Sequence, residues 1–139
     1  MSFSDFIKSG EVKISQKDKE LSKSLLKTAK SDLIYLNSIK IDENSARKSV
    51  SNFYDVLRSI LEAVASLDGY KIYSHEAFTY FLKEKKEDVL AGKFDRFRRI
   101  RNSINYYGAL ISIKEAEEYT KDINSMISLV ITKDLRDLI

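Results

Sequence analysis

The 139-residue sequence has no cysteine, no proline and no tryptophan, one histidine and four glycines. Without cysteine there are no disulfides, thiolate zinc centres or cysteine nucleophiles, which fits a reducing compartment and makes the cytoplasm the expected location. Without proline nothing breaks a helix from inside. No apolar run is long enough to cross a bilayer and the N-terminus has no signal-peptide pattern, so no membrane association is expected. Charge of one sign is also lacking: 24 Lys and Arg face 21 Asp and Glu, a formal net charge of +3, with the two signs interleaved. That balance permits a nucleic-acid partner without demanding one. Glycine-rich phosphate loops, paired-carboxylate dyads and hydrolase triads are absent. Neither a cofactor nor a metal is expected.

What remains is rich in Leu, Ile, Lys, Glu and Ala, which favours helix. One domain is expected over residues 1–139, an all-α antiparallel bundle of about five helices. A leader from Ser2 to about Lys8 forms one or two helical turns and stops at Gly10. A first long helix runs from about Gln16 to Ile39, with Leu21, Leu25, Ala29, Leu33 and Leu36 on one face. A second, starting near Asn44, carries the widest apolar stripe (Val50, Phe53, Val56, Leu57, Ile60, Leu61, Val64, Leu67) and ends at Asp68-Gly69. It is expected at the centre. Ser74 N-caps a shorter helix with Ala77, Phe78, Phe81 and Leu82 inward. The charged run Lys83 to Asp88 reads as a solvated helix end and loop, and a fourth helix spans roughly Phe94 to Tyr107. Ser112 and Glu115 form a capping box for the last helix, with Ala116, Tyr119, Ile123, Met126, Ile127 and Val130 inward. All four glycines are expected between helices, as caps and turns.

The most informative stretch is Phe97-Arg98-Arg99-Ile100-Arg101-Asn102-Ser103-Ile104-Asn105-Tyr106-Tyr107-Gly108. At about 100° per residue, Phe97, Ile100, Ile104 and Tyr107 form a core face. Arg98, Arg101, Asn102 and Asn105 form a second stripe, with Arg99 beneath Tyr106 beside it. No acid follows Asp95 in this helix. A donor-rich cationic stripe calls for phosphate, carboxylate or carbonyl groups opposite. Two uses compete: phosphate binding with Arg101 as the leading residue, or pairing with acids such as Glu84, Glu87 or Asp88 or with backbone carbonyls across a dimer. Tyr106 is expected at an interface or stacked on a base. His75, at a helix start, is expected to fix a loop rather than to catalyse, and Glu76 to complement the helix dipole. The N-terminal lysines read as a solvated face.

Residues Ser45 to Gly108 resemble the HEPN family (higher eukaryotes and prokaryotes nucleotide-binding domain). Gly69-Tyr70-Lys71-Ile72-Tyr73-Ser74-His75-Glu76-Ala77 looks like the turn and Ser-His-Glu-Ala helix start of archaeal and bacterial members. The family signature is an arginine, then four to six residues, the first often asparagine, then a histidine. Arg101-Asn102 matches its start and places Tyr106 at the histidine position; counting from Arg98 or Arg99 places Asn105 there. No register finds a histidine. The resemblance implies a helical fold that dimerises through the arginine helix. It also implies metal-independent ribonuclease chemistry, in which the histidine deprotonates an RNA 2′-hydroxyl and the arginine steadies the phosphate. A tyrosine, with an unperturbed pKa near 10, is a poor base at neutral pH, and losing a positioned base typically costs on the order of 10² to 10⁴ in rate. The expected role is therefore binding of RNA, a nucleotide or a partner protein by a homodimer through Arg98, Arg101, Asn102, Asn105 and Tyr106, with a degenerate ribonuclease centre. The resemblance further implies a nucleotidyltransferase-like partner in a toxin–antitoxin pair. An active ribonuclease and a purely structural dimerisation module are the alternatives.

Overall fold

The computed structural model describes residues 1–139. It is an all-α helical bundle of six helices with one small two-stranded sheet. Ser2 opens α1 (Phe3–Ser9) by a capping box with Asp5, and Gly10, at φ 83°, closes it. Strand β1 (Val12–Ile14) follows, then α2 (Lys19–Ser38), whose first turn is held by Asp18 accepting from the Leu21 N–H at 2.9 Å. Helix α3 (Ala46–Asp68) is the longest and the most deeply buried. It ends at Gly69 and leads into β2 (Tyr70–Ile72), α4 (His75–Glu84), α5 (Asp88–Tyr107) and α6 (Ile113–Asp134). Ser112 and Glu115 cap α6 reciprocally, as the spacing predicts.

The apolar stripe of α3 forms the axis of the main core, packed with Phe78, Phe81, Leu82, Phe94, Phe97, Ile123, Met126 and Ile127 from α4, α5 and α6. Phe3 and Phe6 join that core, so the short N-terminal helix packs on the body of the bundle. A smaller cluster of Ala46, Val50, Ile104 and Ala116 closes the opposite end, with Ile100 and Tyr119 half-buried against it. Filling each such position with a large apolar side chain contributes about 1.5–3 kcal/mol.

Several boundaries differ from the sequence reading. The strand pair was not expected: β1 and β2 run antiparallel, with Val12 opposite Ile72 and Ile14 opposite Tyr70, and tie α1 to the α3–α4 connection. Helix α2 starts at Lys19, and it turns Ser22, Leu26 and Ala29 inward while Leu21 is exposed. The Ser22 hydroxyl donates to the Ala63 carbonyl at 2.7 Å, so a small polar residue lets α2 approach α3 closely. Helix α5 begins six residues earlier than expected, and Gly92 lies within it on an open surface. Because nothing crowds Gly92, its cost there is the entropic one alone, about 0.5–1 kcal/mol relative to Ala. Tyr107, expected in the core, is 85% exposed. Helix α5 ends at Tyr107, and the chain turns away through Gly108 (φ 66°) before α6 can cover that ring.

Candidate functional site

The arginine stripe of α5 lies against the polar edge of α3. Each side chain of the stripe has a distinct environment. Arg98 is committed within its own helix: Nη2 and Nε donate to Asp95 Oδ1 at 2.8 and 3.2 Å, and the side chain is 16% exposed. Arg99 is well exposed and reaches the other Asp95 oxygen at 3.0 Å. Burial works to raise the Asp95 carboxyl, but the Arg98 hydrogen bond and the charges of both arginines override it and hold the group below its ordinary value.

Arg101 is the less satisfied arginine. It is as covered as Arg98, at 17% exposed, but its nearest acid, Asp55 of α3, stands 3.7 Å away, beyond hydrogen-bond range. Its guanidinium lies 5.7 Å from the centre of the Tyr54 ring, a cation–π contact. Its Nε–H is buried and has no acceptor. The same holds for Arg58 on α3, whose terminal nitrogen pairs with Glu62 one turn on while its Nε–H is buried and unpartnered. A buried donor without an acceptor costs about 1–3 kcal/mol. Both arginines act on the same buried tyrosine, and neither Nε–H has an acceptor within the chain.

Tyr54 is fully buried and carries the cluster's link to α4. Its hydroxyl lies 2.9 Å from His75 Nδ1, and the two rings stack with centroids 5.7 Å apart. Burial raises the Tyr54 hydroxyl well above the ordinary phenol value, with Arg101, Arg58 and Arg98 opposing. The phenol therefore stays protonated. Burial, reinforced by Arg58 and Arg101, pushes the His75 imidazole down. The pairing that satisfies both groups has the phenol donating to an unprotonated Nδ1.

The remaining stripe residues continue toward the end of α5. Asn102 is half-buried. Asn105 Oδ1 accepts from the Ser51 hydroxyl at 2.9 Å, which leaves its amide N–H groups for another partner. Tyr106 is 70% exposed, and Tyr107, Leu110 and Ile113, close to it in the sequence, are exposed as well. Helices α3 and α5 thus meet in antiparallel rungs: Ser51 with Asn105, and Asp55 with Arg101.

The acids proposed from sequence as partners for the arginines do not take that role. Asp95 and Asp55 do, while Glu87 pairs with Lys133 of α6. Sequence reasoning also missed Arg58, Tyr54 and Asp55. The available signal was a polar set at helical spacing, Ser51, Asp55, Arg58 and Glu62, along one edge of the apolar stripe of α3. No group of three or more His, Cys, Asp or Glu side chains is arranged to hold a metal. No family model, curated protein or solved structure matches the chain significantly.

Proposed function

We propose that the protein is an HEPN-like homodimer that binds single-stranded RNA by its phosphates, at the seam between α3 and α5. The observation that carries this reading is the incomplete pairing of Arg58 and Arg101, partly exposed side chains whose Nε–H groups have no acceptor in the chain and meet a phosphate once the guanidinium turns outward. Guanidinium groups fork onto phosphate oxygens and keep their charge at all working pH values. The half-exposed Asp55, 3.7 Å from Arg101, is weakly engaged and free to turn aside when a phosphate arrives. Arg98, bound twice to Asp95, serves to shape the helix surface.

Tyr106 holds the position at which the family resemblance calls for a histidine, and His75 is tied to Tyr54. The site accordingly holds RNA without a general base at the family position. Tyr106, Tyr107, Leu110 and Ile113 supply the apolar surface for a two-fold contact beside the arginines. A nucleotidyltransferase-like protein is the partner class that the resemblance implies.

The test is fluorescence anisotropy with a labelled oligouridine at several salt concentrations. Affinity is expected to fall as salt rises. Arg58→Ala and Arg101→Ala are each expected to weaken binding by about 1–3 kcal/mol, the range for hydrogen bonds to charged groups. Wild-type protein is expected to leave the RNA intact, with or without divalent metal, and Tyr106→His to introduce cleavage. Absence of binding by the wild type, with Arg101→Ala lowering only the melting temperature, would favour the purely structural module. Turnover by the wild type that Arg101→Ala abolishes would favour the ribonuclease.

A further inference from the structure

One rung beyond Arg101, a cleft of about 410 Å³ opens between the start of α3 and the end of α5, lined by Arg47, Lys48, Ser51, Ile104 and Asn105. Its wall carries two cations and no carboxylate. Three other clefts differ in this respect: one holds Asp18 and Glu62, another Glu117, and the cleft beside Tyr35 holds Asp32 and Asp55. Arg47 and Lys48 are exposed, and neither is in an ion pair. Asp42, an acid just before α3, accepts instead from the backbone N–H groups of Asn44 and Ser45, both at 2.9 Å. Those bonds, with the charge of Lys40, hold its carboxyl below the ordinary value.

The hydrogen-bonding polarity of the cleft is nearly uniform. The Ser51 hydroxyl donates to Asn105 Oδ1, so the acceptor end of that amide is occupied and its N–H groups remain. A guanidinium, an ammonium and an amide NH₂ are thereby left facing one space with one apolar residue, Ile104, at its side. Such a set suits an anion with several oxygens. The cleft continues the arginine seam directly. Asn105 follows Arg101 by one helical turn on α5, a rise of about 6 Å, and Ser51 precedes Asp55 by one turn on α3.

Resting on the proposed phosphate site at Arg58 and Arg101, we infer that this cleft is a second phosphate subsite for the same RNA strand. The ligand is then an oligoribonucleotide that spans both subsites, not a mononucleotide. The strand runs along the α3–α5 seam, with one phosphate at Arg58 and Arg101 and a later one at Arg47, Lys48 and the Asn105 amide.

The test compares oligouridine and uridine monophosphate as ligands for the intact protein, using Arg47→Gln/Lys48→Gln and Asn105→Asp beside Arg101→Ala. The first two variants alter exposed side chains, and the aspartate keeps an acceptor for Ser51, so melting temperature and mass are expected to stay unchanged. Oligouridine affinity is expected to drop about tenfold in the double variant, with a salt slope shallower by about 0.7, as one single-strand phosphate contact is lost. Asn105→Asp, which places a carboxylate in the cleft, is expected to weaken oligouridine at least as much, and both variants to weaken uridine monophosphate far less than oligouridine. If Arg101→Ala weakens oligouridine while the cleft variants change neither its affinity nor its slope, the second subsite is overturned and the arginine site stands. Uridine monophosphate binding as tightly as oligouridine also overturns it. If no RNA binds the wild type, the arginine-site reading fails and takes this one with it.

Discussion

Tyr54 on α3 and His75 at the first turn of α4 are joined by a 2.9 Å contact between the phenol oxygen and Nδ1, beneath the Arg101 guanidinium. This one pairing ties the central helix to the start of α4 and engages the only histidine, whose imidazole is already held below its ordinary value by burial and the arginines. It also places an aromatic face under the arginine proposed to hold phosphate. Tyr54→Phe keeps the ring and removes the donor. The expected loss is about 1 kcal/mol in urea unfolding, the usual net worth of one such bond. His75, no longer favoured in its neutral form, is expected to titrate at higher pH in an NMR titration. Unchanged stability and an unchanged titration would show that the bond is idle.

A pH dependence follows from the same cluster. The groups around His75 are Tyr54, Asp55 and Arg58 of α3 and Arg98 and Arg101 of α5; burial and the arginines together lower its pKa below the unfolded value of about 6.5. The unfolded chain therefore takes up the proton first as pH falls. Stability is fully held above about 6.5 and declines below it until folded His75 is protonated as well. Asp134, whose carboxyl is raised by burial, works in the opposite sense at lower pH. Thermal melts between pH 7.5 and 5 should show a fall for the wild type and a flatter curve for His75→Gln. Parallel curves would exclude the histidine as the source.

Gly69 and Gly92 are expected to respond to alanine with opposite signs. Gly69 sits at φ +87°, and a Cβ there would lie 3.0 Å from the Ser15 carbonyl, on backbone already anchored by the Ser15 N–H to Gly69 carbonyl bond at 2.8 Å. Gly69→Ala is expected to cost about 1–3 kcal/mol. Gly92 lies inside α5 in open space, so Gly92→Ala is expected to add about 0.4–1 kcal/mol. Denaturant midpoints of the two variants decide it.

These two glycines also show what the sequence could reveal. Chain stops that combine glycine with a change of periodicity, at Gly10, Gly69 and Gly108, are set by local backbone conformation and were readable. So were the caps at Ser74 and Ser112, because each is satisfied within three residues. Gly92 was misread because a surface glycine inside a helix has the same composition signal as a stop. The β1–β2 pair hid for another reason: Val12-Lys13-Ile14 and Tyr70-Lys71-Ile72 each show only one period of alternation, and their pairing joins distant parts of the chain. At the site, the stripe of Arg98, Arg101, Asn102 and Asn105 was legible from helical geometry alone. Its partners Asp55, Arg58 and Tyr54 were not: the polar spacing of Ser51, Asp55, Arg58 and Glu62 marks an edge of α3 but does not say which helix packs against it.

The apolar surface of Tyr106, Tyr107, Leu110 and Ile113 leads to a prediction about assembly. Light scattering is expected to give a mass near twice that of the 16.0 kDa chain. Leu110→Asp, which places a charge in the middle of that surface, is expected to give a folded monomer. A monomeric wild type at high protein concentration would rule out the dimer.

The unpartnered Nε–H groups of Arg58 and Arg101 are the atoms proposed to receive a phosphate. Arginine Nε–H resonances of ¹⁵N-labelled protein, followed during titration with oligouridine, report on these atoms directly. The Arg58 and Arg101 signals are expected to move downfield and exchange more slowly with solvent, while those of Arg98 and Arg99, engaged with Asp95, stay nearly fixed. Arg58 and Arg101 signals that do not respond to saturating RNA, or a uniform shift of all four arginines, would contradict the proposed phosphate contact.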